Sequence, residues 1–305
     1  MKRLVGLSIH NLQPKYGDAR ALALAKSIGA DAVDFSIANA PYWDRRCKDS
    51  VYARSDEEIV EYFTDLKKRA DELGLVISQT HGRLCGYTLD TEDNRAVLEN
   101  ARLDCLVTKT LGAPVCVMHG VATGLVGPET PAQTMRDLND AWFCDALAYA
   151  KQYGVKIATE TFGDSPKHGI CDFFGQADEF LASYDRIAAK GDNAAYFSAC
   201  VDTGHSNKAM RFGNPKPADV IRQLGGRIST LHLNDNDTFT DQHKTPLTGC
   251  IDWNDVFDAL DEVGYAGVYN MELNLIHFGE DFMLEEAEFA IKVMKHLLKK
   301  RYGEN

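Results

Sequence analysis

Short apolar runs rich in β-branched residues alternate along the whole chain with longer amphipathic stretches. The runs at 4–10, 31–37, 75–81, 115–120, 155–161, 197–203, 228–234 and 267–273 read as strands. The stretches at 18–29, 56–73, 92–111, 130–153, 176–190, 217–224, 252–263 and 280–301 carry apolar residues at helical spacing. Start signals precede several of them: Ser55-Asp-Glu-Glu before Ile59, Pro131 after Thr130, and Asp252 before Trp253. Gly29, Gly74, Gly112, Gly154 and Gly264 stand where a left-handed cap would end a helix before the next strand. This order repeats without a Pro/Ser-rich linker, so the pattern predicts one (β/α)8 barrel over residues 1–305. The segments after strands, 38–55, 82–91, 121–129, 162–175, 204–216 and 235–251, are longer than the turns that lead into strands. That asymmetry predicts a functional mouth at the strand C-termini. A doubly wound open sheet is the rival, but no Gly-x-Gly-x-x-Gly follows the first strand.

Four of the predicted strands end on a metal-ligand side chain: Lys156-Ile-Ala-Thr-Glu160, Ala199-Cys-Val-Asp202, Ser229-Thr-Leu-His232 and Val268-Tyr-Asn-Met-Glu272. Each carboxylate or imidazole closes an otherwise apolar run, where an unpaired charge is expensive. A buried salt-bridge network is the alternative, but the flanks offer no matching set of cations on neighbouring strands. Three carboxylates and one imidazole suit a single Mn²⁺, Mg²⁺, Co²⁺ or Zn²⁺ ion. Further candidates lie at equivalent places: His81, His119, His205, Asp241 and His243. A lone His at a strand end is more often a hydrogen-bonded core or rim residue, so these read as substrate contacts or additional ligands. Trp43 and Phe162 are candidate pocket walls, and Phe173-Phe174 a packing or subunit-contact pair.

Composition narrows the partners. The chain has 305 residues, 33 basic against 45 acidic, for a formal charge of −12, which disfavours nucleic acid and anionic membranes as general partners. Its eight cysteines form no C-x-x-C pair, and Cys116 and Cys200 sit inside apolar runs, as buried thiols of a reduced cytoplasm would. No apolar run approaches the roughly 18 residues of a membrane helix. The apolar part of the N-terminus, Leu4–Ile9, is too short for a signal peptide and reads as the first strand. The expected partner is a small molecule, with a homo-oligomer left open.

Cys200-Val-Asp202-Thr-Gly-His205 and His232-Leu-Asn-Asp235, followed by Asp241-Gln-His243 and Pro246-Leu-Thr-Gly249-Cys-Ile-Asp252, resemble motifs of the xylose-isomerase-like barrel superfamily. That superfamily holds sugar isomerases and epimerases, inosose dehydratases and the endonuclease IV type of repair enzyme. The resemblance to the ketose 3-epimerase branch implies that Glu160, Asp202, His232 and Glu272 are the ligands of one divalent ion. It also implies that His205 touches a substrate oxygen. The expected activity is isomerisation or epimerisation of a small sugar through a cis-enediolate, with Glu160 and Glu272 exchanging the proton. Dehydration of a keto-inositol begins with the same proton abstraction. The nine candidates also resemble the ligands of three zinc ions in endonuclease IV, which implies a phosphodiesterase as the alternative. Against it, glycine rather than cysteine stands immediately before His205, and Gln rather than Arg separates Asp241 from His243. The loop cations, Arg45, Arg46, Lys48, Arg54, Arg83, Lys167, Lys208, Arg211 and Lys244, are also scattered.

Overall fold

A computed structural model describes residues 3–39 and 41–303. Eight parallel strands form its centre: β1 (Val5–Ser8), β2 (Ala32–Ser36), β3 (Val76–His81), β4 (Val115–Met118), β5 (Lys156–Glu160), β6 (Phe197–Asp202), β7 (Ile228–His232) and β8 (Tyr269–Met271). They pair in the order β8-β1-β2-β3-β4-β5-β6-β7. The ring closes between β7 and β8 through one parallel bridge, Leu233 to Met271, where the Leu233 amide donates to the Asn270 carbonyl at 2.8 Å. The architecture is thus the expected (β/α)8 barrel.

The outer ring is α1 (Asp18–Ser27), α2 (Asp56–Glu72), α3 (Thr91–Thr110), α4 (Ala132–Tyr153), α5 (Ala177–Ala188), α6 (Pro217–Leu224), α7 (Trp253–Glu262) and α8 (Met283–Tyr302). In α2 the Ser55 side chain accepts from the Glu58 amide while Glu58 reaches back to the Ser55 amide, a full capping box. Its buried residues Ile59, Phe63, Leu66 and Ala70 form one stripe against the strands. Gly29, Gly74, Gly112, Gly154 and Gly264 all adopt positive φ, as the turn into each next strand requires. Trp142, Phe143 and Leu147 of α4 are buried, and so are Phe173 and Phe174, which belong to the packing rather than to a surface.

Alternate strand residues turn inward. Val115, Val117, Ala158 and Cys200 make a small apolar plug inside the barrel, and the residue two positions further on is His119, Glu160 or Asp202 for the last three. The plug thus lies directly beneath three of the mouth's ligand-type side chains. The segments after strands hold more structure than a bare loop reading predicts. Helices Leu12–Tyr16, Thr123–Val126 and Thr203–Ala209 occupy three of them, and an antiparallel pair, Asp164–Ser165 with Ile170–Cys171, a fourth. These pieces are too short to show periodicity in the sequence. Among the described residues no helix is long and apolar enough to cross a membrane.

Candidate metal centre

One ligand atom each from Glu160, Asp202, His232 and Glu272 lies within 4.8 Å of the others. Ligands about 2.0–2.2 Å from an ion stand roughly 3–4 Å apart, so this spacing fits a common cation. His232 Nδ1 is 3.2 Å from Glu160 Oε1 and 3.3 Å from Glu272 Oε2. Its other nitrogen, Nε2, donates to Asp34 Oδ2 at 3.0 Å. Gln79 Nε2 donates to the same oxygen at 3.2 Å, which explains why two nitrogens crowd together beside it. With Nε2 so engaged, Nδ1 is the atom turned to the glutamates. Both it and Glu160 Oε1 are buried without a hydrogen-bond partner among the described residues. Two facing lone pairs at that distance call for a positive charge between them. The residues present fit a divalent ion.

The titration behaviour of the bare shell agrees. Burial opposes charge on Glu160, yet His232, His119 and His205 hold it well below the usual range. Glu272 is likewise brought down to about 2, its burial outweighed by His232 and His81. Asp202 goes the other way, raised by burial with Glu160 and Glu272 adding to it. Against its own burial, His232 is raised well above its ordinary value by Cys200, Glu272 and Glu160. Without an ion, protons on these imidazoles stand in for the positive charge that the carboxylates require.

Each glutamate divides its oxygens. Glu160 Oε1 faces His232, while Oε2 takes a hydrogen bond from His119 Nε2 at 3.1 Å and lies 3.5 Å from His81 Nε2. Glu272 Oε1 is also 3.5 Å from His81 Nε2. Asp202 caps the helix Thr203–Ala209, accepting from the His205 amide at 2.7 Å, and its second oxygen accepts from Asn234 Nδ2 at 2.8 Å. Gly204 belongs to this joint, since a Cβ there would collide with the Asn234 side chain. His205 Nδ1 donates to the Thr161 carbonyl at 3.0 Å, leaving Nε2 3.5 Å from Asp241 Oδ2.

Asp241 and His243 arrive on the long segment after β7. Asp235 staples it by accepting the amides of Asn236, Leu247 and Ile251 and the Trp253 indole. Thr238, His243 and Leu247 in this segment have φ of 72°, 46° and 75°, a strained conformation for side chains other than glycine. His243 Nδ1 donates to the Glu272 carbonyl at 3.0 Å, and its Nε2 lies 3.5 Å from Asp241 Oδ2. Lys208, only 3% exposed, bridges Asp164 Oδ1 at 2.8 Å and Asp241 Oδ1 at 3.3 Å.

A cavity of about 310 Å³ opens above these groups. The imidazoles of His10, His81, His119, His205 and His243 line it together with Glu160 and Glu272, and Leu84 is an aliphatic member of the wall. No lysine or arginine is among the described residues that line it. Phe162 packs beside it, its ring 5.0 Å from His119 and 6.4 Å from His205. Trp43 is 44% exposed and stands outside the lining residues, its ring under the Arg83 guanidinium at 5.9 Å. Arg83 is itself buried in a salt bridge to Asp104 at 2.7 Å and donates to the Ile37 and Trp43 carbonyls. Tyr52 donates to the same aspartate at 2.7 Å.

With this geometry in view, the comparison with known proteins is direct. Residues 22–296 match the model of the xylose isomerase-like TIM barrel family. The chain belongs to that family. An uncharacterized protein of Methanocaldococcus jannaschii is 23% identical over 265 residues, which cover 86% of this chain and 84% of that one. Among solved structures, a D-tagatose 3-epimerase-like protein superimposes over 97% of both chains with a TM-score of 0.71 and 19% identity. The IolI protein, solved with a binding zinc atom, does so over 97% of both with a TM-score of 0.69 and 18% identity. These likenesses are of fold.

Within the family barrel, Asp34, Gln79 and His10 are mouth residues that the strand-end reading passed over. Asp34 lies inside the apolar run Ala32-Val-Asp-Phe-Ser36 rather than at its end, so a search for charges that close such runs misses it. His10 ends the first predicted run, with its Nδ1 3.0 Å from Ser8 Oγ, and burial, opposed by Glu272 but aided by His243 and His81, lowers its pKa to about 4.

Proposed function

We propose that the protein is a divalent-metal-dependent isomerase or epimerase acting through a cis-enediolate on a small ketose, aldose or related hydroxy-carbonyl. The observation that carries this reading is the unpartnered pair, Glu160 Oε1 and His232 Nδ1, flanked by Asp202 and Glu272. A divalent ion held there supplies positive charge beside the substrate oxygen on which negative charge develops. Asp34 and Gln79 keep the His232 lone pair aimed at the site. Glu160 Oε2 and Glu272 Oε1, both turned toward His81, take the proton from the carbon next to the carbonyl and return it. Return to the same carbon epimerises, and return to its neighbour isomerises. His81, His119 and His205 hydrogen-bond the substrate's oxygens. The relatives' sugar chemistry supports a sugar, and a lining without Lys or Arg supports an uncharged one. Eight free cysteines, Cys47 and Cys250 among them exposed, support a reducing compartment such as the cytoplasm.

A second reading, a multi-zinc phosphodiesterase, draws on the further groups His81/His119/Glu160 and Asp202/His205/His243. Two observations weigh against it. The Lys208 ammonium already sits 3.3 Å from Asp241, where it competes with a second dication. The arginines that DNA would need are committed elsewhere: Arg45 to Glu99, Arg46 to Asp44 and Asp93, Arg83 to Asp104, and Arg211 to Asp164.

Elemental mass spectrometry on protein purified without chelator, with turnover measured on a ketose and aldose panel, tests the proposal. One Mn, Mg, Co or Zn per chain, removed with loss of turnover, is the expected result. Two or three tightly held zinc ions with cleavage of abasic-site DNA would replace this reading with the second.

A further inference from the structure

The cavity over the metal centre does not end at the barrel rim. His10 lines it and also lines a second recess of about 650 Å³ on the β1–β8 side, so the two share a wall. The inner space is at the low end of the roughly 300–1,000 Å³ of small-molecule sites, enough for one monosaccharide. The outer recess is bounded by the amides of Asn11 and Asn39, the aliphatic surface of Ile276 and the ion pair Lys15–Glu280. It is built rather than fortuitous. Asn11 Oδ1 accepts the Leu275 amide at 2.6 Å, pinning the segment after β1 to the one after β8. Lys15 Nζ donates to the Glu280 carbonyl at 2.8 Å and lies 3.5 Å from its carboxylate, closing the far side with compensated charge. Asn274 lines the inner space and Ile276, two residues on, lines the outer.

Amides at the edges, an aliphatic face and no net charge suit a second neutral polyhydroxylated ring. Resting on the sugar reading above, we propose that the substrate is a glycosidically extended hydroxy-carbonyl sugar. Its reacting unit occupies the inner cavity and a second neutral sugar unit the Asn11–Asn39–Ile276 recess, with His10 at the junction. Extension must leave free the carbonyl and the adjacent hydroxyl that the chemistry uses, which directs the second unit to the remote end of the reacting sugar.

The probes are fructose, isomaltulose and lactulose, the last two being ketoses that carry a second ring away from the carbonyl. Binding to manganese-loaded protein is measured by calorimetry and turnover by product analysis. At least one of the two disaccharides should bind tenfold or more tightly than fructose, and Asn39→Trp, which fills the outer recess, should lower that ratio at least tenfold. Ile276→Trp at an exposed position repeats the block should Asn39→Trp fold poorly. Fructose binding as well as both disaccharides, or a ratio untouched by either well-folded variant, overturns the extended substrate. Failure to turn over any of the sugars counts against the isomerase reading, and the binding ratio still decides the recess.

Discussion

Two buried charged clusters stand at the same mouth and differ in one respect. Around Asp104, both carboxylate oxygens are partnered: Arg83 donates to each, Tyr52 adds a third bond, and two further guanidinium donors end on backbone carbonyls. Around His232, Glu160 Oε1 and His232 Nδ1 meet without a bond. The first cluster holds the segments after β2 and β3 together and needs nothing more. The second leaves that oxygen and nitrogen buried without a partner, and a divalent ion held between them would satisfy both. Between these two clusters it is the unsatisfied atoms, rather than charge or burial, that mark the candidate site.

The sharpest way to break this contrast is to remove one charge from each cluster. Glu160→Gln and Glu272→Gln should each lower turnover more than about 1,000-fold, worth about 4 kcal/mol of barrier, with the fold retained and the thermal midpoint lowered, because the imidazoles beside each carboxylate favour its charged form. Retained activity in either would sink the two-base assignment. Arg83→Met should act on stability first, costing about 3–5 kcal/mol in urea unfolding by leaving Asp104 buried and unpaired. A loss below 1 kcal/mol would mean that the complete network is no strut.

Asp172 sharpens the comparison as an intermediate case, a buried carboxylate held by the Thr123 and Phe174 amides without a cation. Burial outweighs these bonds and raises it from 3.8 to about 6. A raised folded pKa means that the native state holds the proton more tightly than the unfolded chain. Its contribution is present below pH 4 and lost as pH rises through about 6, by roughly 3 kcal/mol in all. The stability of the wild type relative to Asp172→Asn should therefore fall between pH 4 and 7, and a flat difference would contradict the raised value. The smallest expected effect is linkage. Manganese at about 100 times its dissociation constant should stabilise the wild type by about 2.7 kcal/mol and Glu160→Gln by much less.

The barrel was legible because each strand and helix is written locally, in apolar runs, caps and positive-φ glycines such as Gly74 and Gly154. The four ligand candidates were legible for a related reason: a charge ending an apolar run has few uses. What the sequence hid depends on partners far apart in the chain. Nothing near Asp34 announces His232, 198 residues on. Lys208 and Arg83 read as loop cations until the fold buries them against Asp241 and Asp104. Trp43 looked like a wall residue by type alone, and its place on the rim is set by Arg83.

The single bridge between β7 and β8 lies beside His232 on one strand and Glu272 at the end of the other. The barrel is therefore a hoop whose weakest join falls between two of its own ligand candidates. An ion gripped from both sides would act as a clasp, tying the last strand of the chain to its neighbour. Chemistry and closure would then be fastened at one point, and the amide of Leu233 would exchange with solvent more slowly once the clasp is shut.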